Sequence, residues 1–196
     1  MATRLMSRAV ARPGLRDLAA AAEVSVPTLR HYFGPRQAVV DAVMAECLRL
    51  GREGLDAQRH SDLPFAESIR HYADSLVRAL QAPRDVALGD VFAVSLAEGV
   101  MDPDIGASAL NHIVEPTLQV LEARLQAHIL RGEMIPVDVR AAGLMLLSPL
   151  LLACLHQNQL QGRQVRPLAL DALAATVSDG FVRAYGVAEP RPTAMT

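Results

Sequence analysis

The 196-residue chain is 51% hydrophobic but only 4% aromatic, lacks Trp and carries a formal charge of −2. This composition excludes a disordered chain, allows a sizeable core and, with Ala and Leu dominant, favours packed helices over sheets. Cys47 and Cys154 stand far apart in apolar contexts, which predicts reduced, buried thiols in a cytoplasmic protein rather than a disulfide framework. Arginines at 4, 8 and 12 accompany no apolar run of signal-peptide length.

The near-neutral total conceals an asymmetry. Residues 1–36 hold six arginines against Asp17 and Glu23, whereas residues 61–196 hold ten against fifteen acidic residues. A basic head on an acidic body suits a polyanionic partner at one end.

Along the chain, helical periodicity is broken by Pro and Gly rather than by strand-like alternation, so an all-α fold is expected. A short helix over 3–11 comes first. Gly14 then precedes LRDLAAAAEV (15–24), in which Leu15, Leu18 and Ala22 share one face. In SVPTLRHYF (25–33), Ser25 is the expected N-cap, and Leu29 and Phe33 form the apolar side. Gly34 stops that helix. Pro35 is placed as an early residue of the next, RQAVVDAVMAECLRL, whose Val39, Val43, Cys47 and Leu50 make a stripe.

GREGLDAQRHSDLP (51–64) is polar and carries two Gly and a Pro, which marks it as a linker or the end of a connecting helix. Helices are expected beyond it at 65–81, 86–101, 104–132, 137–160 and 167–185. The chain thus divides into a head at 1–50, a linker at 51–64, a helical body at 65–188 and a disordered tail at 189–196. The run AAGLMLLSPLLLACL (141–155) reads as a buried helix, too short to span a bilayer.

Residues 15–33 read as two short helices joined by a tight turn at Glu23-Val24-Ser25, knitted by apolar residues at 18, 22, 24, 29 and 33. Pro27, Thr28, Arg30, His31 and Tyr32 are then left outside that small core. Their chemistry fits DNA: hydroxyls donate to phosphates, Arg forks onto guanine edges, and His reaches bases or backbone. Arg36 sits where free N–H groups and the helix dipole favour an anion. An ordinary helical hairpin with a polar outer face is the competing reading of the same residues.

The stretch LRDLAAAAEVSVPTLRHYFGPRQAVVDAV (15–43) resembles the helix-turn-helix signature of the TetR family of bacterial transcriptional regulators. Asp17, Leu18, Ala19, Ala22, Val24, Ser25, Thr28, Leu29, Tyr32, Phe33, Arg36 and Val39 fall on the pattern in register. The resemblance implies phosphate contacts from Thr28, Tyr32 and Arg36, and major-groove positions for Val26, Pro27, Arg30 and His31, with Ser25 at the helix start. It also implies a helical ligand-binding body, and a homodimer built from the last two long helices, here about 137–160 and 167–185. A palindrome-like double-stranded DNA operator follows from two-fold symmetry. The chain departs from the pattern in having Glu23 where the family has Gly, Gly14 where it has a Thr or Ser cap, and a shorter lead-in. The first helix is therefore abbreviated, or the natural start lies upstream.

The body offers no P-loop, no G-x-S-x-G and no C-x-x-C, so no enzymatic activity, cofactor or metal is expected. His112 and Glu115 are spaced to chelate, but no second pair accompanies them. His71, Asp90, Asn111, His112 and Met145 are the candidate contacts to a small-molecule effector, in a pocket between helices 65–81, 86–101, 104–132 and 137–160. Met101, Met134 and Met145 read as core filler, and Pro149 as a kink inside the apolar helix. The leading expectation is a ligand-responsive dimeric repressor with no membrane association. The second is a helical ligand- or partner-binding dimer whose head does not bind DNA.

Overall fold

Helix-forming Ala and Leu, punctuated by Pro and Gly, fold as expected. A computed structural model describes residues 5–6, 12–83 and 86–187, and among these every regular element is helical. The only pairing of the β type among them is an isolated antiparallel bridge between Met134 and Gly186. The expected helix at 3–11 and the tail at 189–196 lie outside the described residues, save Leu5 and Met6, which are helical and buried.

The head comprises α1 (Leu15–Ala21), α2 (Val26–Phe33) and the start of α3 (Arg36–Arg59). The body comprises α4 (Phe65–Gln81), α5 (Leu88–Met101), α6 (Pro103–Ala109), α7 (Glu115–Leu130), α8 (Val139–Cys154), α9 (Gly162–Val165) and α10 (Leu170–Tyr185). Helix α3 continues through Gly51 and Gly54, and Pro35 lies just outside it as the N-cap residue. The helix expected over 104–132 is interrupted by a π-helical turn at Leu110–Val114. Pro116 explains the interruption: its ring crowds the carbonyl four residues back, and a wider turn accommodates it. A second π turn, Leu155–Gln159, extends α8.

The core of the body forms where α4 buries Ile69, Tyr72, Ala73, Leu76, Val77 and Leu80 along one stripe. Phe65 meets Phe181 of α10 at a ring separation of 6.3 Å, and Phe181 meets Tyr185 at 4.6 Å. Helix α8 departs from the buried helix expected of its sequence. With its π turn it spans Val139–Gln159, long and apolar enough by length and composition to cross a membrane, yet only 33% of its most apolar window is buried. One side packs through Leu146, Leu147 and Leu150, while Leu144, Met145 and Leu152 remain exposed. Of the methionines read as filler, Met134 is buried, whereas Met101 and Met145 are exposed. Both cysteines are free, and burial pushes the Cys154 thiol up to about 11.

A buried polar relay fastens the far end of α3. Arg124, almost fully buried, donates to the carbonyls of Gln58 and His60 and to the Ser68 hydroxyl. Arg131 donates to the carbonyls of Ser61 and Leu63. Ser68 Oγ, which accepts from Arg124, lies 2.9 Å from His128 Nε2. His128 Nδ1 in turn lies 2.6 Å from Glu133 Oε2 and 2.8 Å from Arg131 Nη2. Thus the 60–64 connection is held at three of its carbonyls rather than hanging free.

Burial pulls the His128 pKa below its ordinary value, with Arg131 and Arg124 adding to the shift and Glu133 opposing it. The unfolded chain therefore takes up a proton near pH 6.5 that the folded protein refuses, and stability falls as pH drops below that value. The loss sets in as pH falls through the ordinary imidazole range. Urea unfolding between pH 7.5 and 5.5 should show this loss, and His128→Gln should flatten it.

Candidate nucleic-acid interface

The reading head is assembled from few apolar residues. Leu18 and Ala19 of α1, Leu29 of α2, and Val39, Val40 and Val43 of α3 are buried, with Leu15 and Val26 packed against them. Val24 and Phe33, expected within this core, are each 39% exposed. The turn between α1 and α2 places Glu23 in the left-handed region at φ 55°, where the Cβ is crowded. Ser25 caps α2: its hydroxyl accepts from the Thr28 N–H at 3.2 Å and lies 2.7 Å from Thr28 Oγ1. At the other end Gly34 adopts φ 84° and donates to the Arg30 carbonyl, which lets the chain reverse into α3.

This local geometry sorts the expected site residues. Pro27, Arg30, His31 and Tyr32 lie exposed on α2, with Tyr32 76% exposed and its ring edge-on to His31 at 5.2 Å. The Arg30 side chain makes no hydrogen bond or ion pair with any described residue. Val26 is half-buried against the core, and Ser25 and Thr28 stand together at the helix start. Arg16 is also exposed on the first turn of α1.

Arg36 is placed differently from the free phosphate-binding cation expected of its position. Its fork closes on Glu98 of α5, with Nη1 to Oε2 at 2.9 Å and Nη2 to Oε1 at 2.6 Å, and its Nε donates to the Pro13 carbonyl at 3.0 Å. The physical reason is the partner: Glu98 is 2% exposed, and a desolvated carboxylate requires a cation with good geometry. Arg12 approaches the same carboxylate at 3.4 Å. Glu98 is not among the residues that spacing and motif pick out in the sequence. Its one signal was position, because Val91, Ser95 and Glu98 recur on the buried stripe of α5, where a charge is out of place.

The five expected effector contacts do not converge. His71 is exposed on α4, and Asp90 accepts a hydrogen bond from Gln159 at 3.2 Å. His112 faces Asp41 of α3 across 3.1 Å, while Met145 is exposed with its sulfur 3.0 Å from the Tyr185 hydroxyl. Asn111 lines an open cleft of about 230 Å³ between α3 and α7, beside Arg52, Arg59 and Gln119. A cleft of about 200 Å³ near Gln157 and Arg163 includes none of the five. Neither cleft lies between α4, α5, α7 and α8, where the pocket was expected. The chelating spacing of His112 and Glu115 is not used either, since Glu115 holds Arg140 at 2.7 Å.

No protein-family model matches the chain, and no curated protein matches it. Solved structures do. A TetR-family transcriptional regulator from Mesorhizobium loti superposes with a TM-score of 0.71 at 16% identity, over 95% of this chain and 93% of that one. The fold is that of the TetR-family transcriptional regulators. FadR, a fatty acid degradation regulator from Bacillus halodurans, superposes with a TM-score of 0.68 at 16% identity over 92% and 93% of the two chains. SmeT, the repressor of the Stenotrophomonas maltophilia multidrug efflux pump SmeDEF, gives 0.60 at 16% over 97% and 93%. The TetR likeness thus spans the head and the body together.

The strained turn gives a direct check on the head. Glu23→Gly should stabilise the protein by up to about 1 kcal/mol, since relief of the left-handed Cβ contact exceeds the added chain entropy. Denaturant midpoints measure it, and a lower midpoint for the variant contradicts the account.

Proposed function

We propose that the protein is a cytoplasmic, dimeric transcriptional regulator that represses by binding a palindromic double-stranded DNA operator and is released by a small-molecule effector. The observation that carries this reading is the outward face of α2, where Pro27, Arg30, His31 and Tyr32 project from a TetR-type fold. Arg30 is the base reader in this proposal, with His31 beside it. Tyr32 and Thr28 hold phosphates, and Ser25, Val26 and Pro27 border the groove. Arg36 supports the head from behind.

Dimerisation rests on the exposed side of α8. Leu144, Met145 and Leu152 form an exposed apolar strip, and α10 runs beside it with Ala172 and Ala175 exposed. Pairing two copies of this face covers the strip and sets two α2 helices on one side of the dimer.

The effector acts by population shift: it prefers a body conformation in which the two heads are wrongly spaced for DNA. Such a ligand enters the body between its helices. It would then meet the buried hydroxyls of Tyr72 and Ser95, which have no hydrogen-bond partner among the described residues. A small, mainly aliphatic molecule with one or two polar atoms suits that interior. The engagement of Arg36 with Glu98 favours, in second place, a helical dimer whose head no longer grips DNA.

Binding to the protein's own upstream DNA tests the reading. Affinity should fall steeply as salt rises, and absence of binding at low salt refutes it. Tyr32→Phe should weaken every DNA sequence alike. Arg30→Ala should cost about 1–3 kcal/mol on the preferred site and relax the choice at one base pair. Light scattering checks the assembly: Leu152→Arg should convert a dimer into monomers without unfolding them.

A further inference from the structure

Glu98 belongs to the body, yet the cations around it come from the head. Arg36 is the first residue of α3, and Arg12 precedes α1. The two arginines therefore reach one carboxylate from the two ends of the α1–α2 unit, at 2.6 Å and 3.4 Å. Arg36 closes the loop by donating to the carbonyl of Pro13, which ties the segment entering α1 to the one leaving α2. Asp102 adds a looser contact to Arg12 at 3.8 Å.

The carboxylate itself has little room to move. Beside it, a Cβ on Gly99 would lie 3.2 Å from Gly106, so α5 and α6 run backbone against backbone at this point. Glu98 is fixed to α5, and α5 is fixed to α6. The head is consequently held by a group whose position the body alone determines.

We propose that Glu98 is the positioning residue of the reading head: it keeps α1 and α2 in register with α5 by clasping Arg12 and Arg36 together. Arg36 serves this clasp and not an independent phosphate contact, because most of its donors are engaged. The proposal rests on the DNA-binding reading for its consequence, but the clasp has a readout of its own. A competing account has Glu98 masking Arg36, so that losing the carboxylate would free a cation for DNA.

The full-length Glu98→Gln variant separates the two. Amide hydrogen exchange without DNA should accelerate about tenfold or more over residues 15–33, while α4 and α8 keep their protection. Arg12→Gln, at a half-exposed site, should repeat the change to a smaller degree in a protein that keeps its body. Unchanged exchange over 15–33 in both variants overturns the clasp.

On DNA, Glu98→Gln should lose about tenfold or more on the preferred operator, with random DNA at low salt held within about twofold and the salt slope unchanged. A gain on both DNAs, with a slope steeper by about one unit, establishes masking and overturns the proposal. If the wild-type protein binds no DNA, the DNA reading fails while hydrogen exchange still decides the clasp.

Discussion

A carboxylate that has lost its water must be matched by cations, and Glu98 meets that requirement with arginines from the head, far from it in sequence. The rest of the architecture is arranged around this constraint. The head is too small to be stable through its own core, since α1 and α2 are 7 and 8 residues long. It gains its order from α3 and from the contact with α5. Removing either partner would strand a charge in a low-dielectric setting, which is far costlier than losing a surface ion pair.

The connecting helix is fastened at its other end by the same kind of device. Arg124 and Arg131 satisfy carbonyls at 58–63, where a polar, Gly- and Pro-containing sequence suggested a loose joint. Asp41 meets His112 midway, and the Ser108 hydroxyl donates to Met44. A rod tied to the body along its length transmits displacement of the body to the head. Movement of α5 or α7 would thus reorient α2, as the proposed effector response requires.

The body presents the opposite problem, an apolar surface without a cover. The outer side of α8 is apolar and exposed, and this is the face the proposed dimer would cover. The polar residues picked from the sequence as ligand contacts are scattered. His112 and Asp90 complete contacts between helices, and Met145 lies on the exposed side of α8.

Local chemistry was legible in the sequence because it acts over a few residues. The Ser25 cap, the Gly34 reversal, the α4 stripe and the exposed face of α2 all follow from spacing and backbone preference. Even the π turn before Pro116 has a local cause, although periodicity alone smoothed it over. Glu98 and Arg36 are 62 residues apart, and nothing in either neighbourhood specifies the other. The sequence by itself determined an all-helical chain with a polar recognition-type helix near its start. Only the tertiary structure decided which arginine faces outward and which is clasped, because a charge's partner is set by where burial strands its opposite, and burial exists only once the helices have packed.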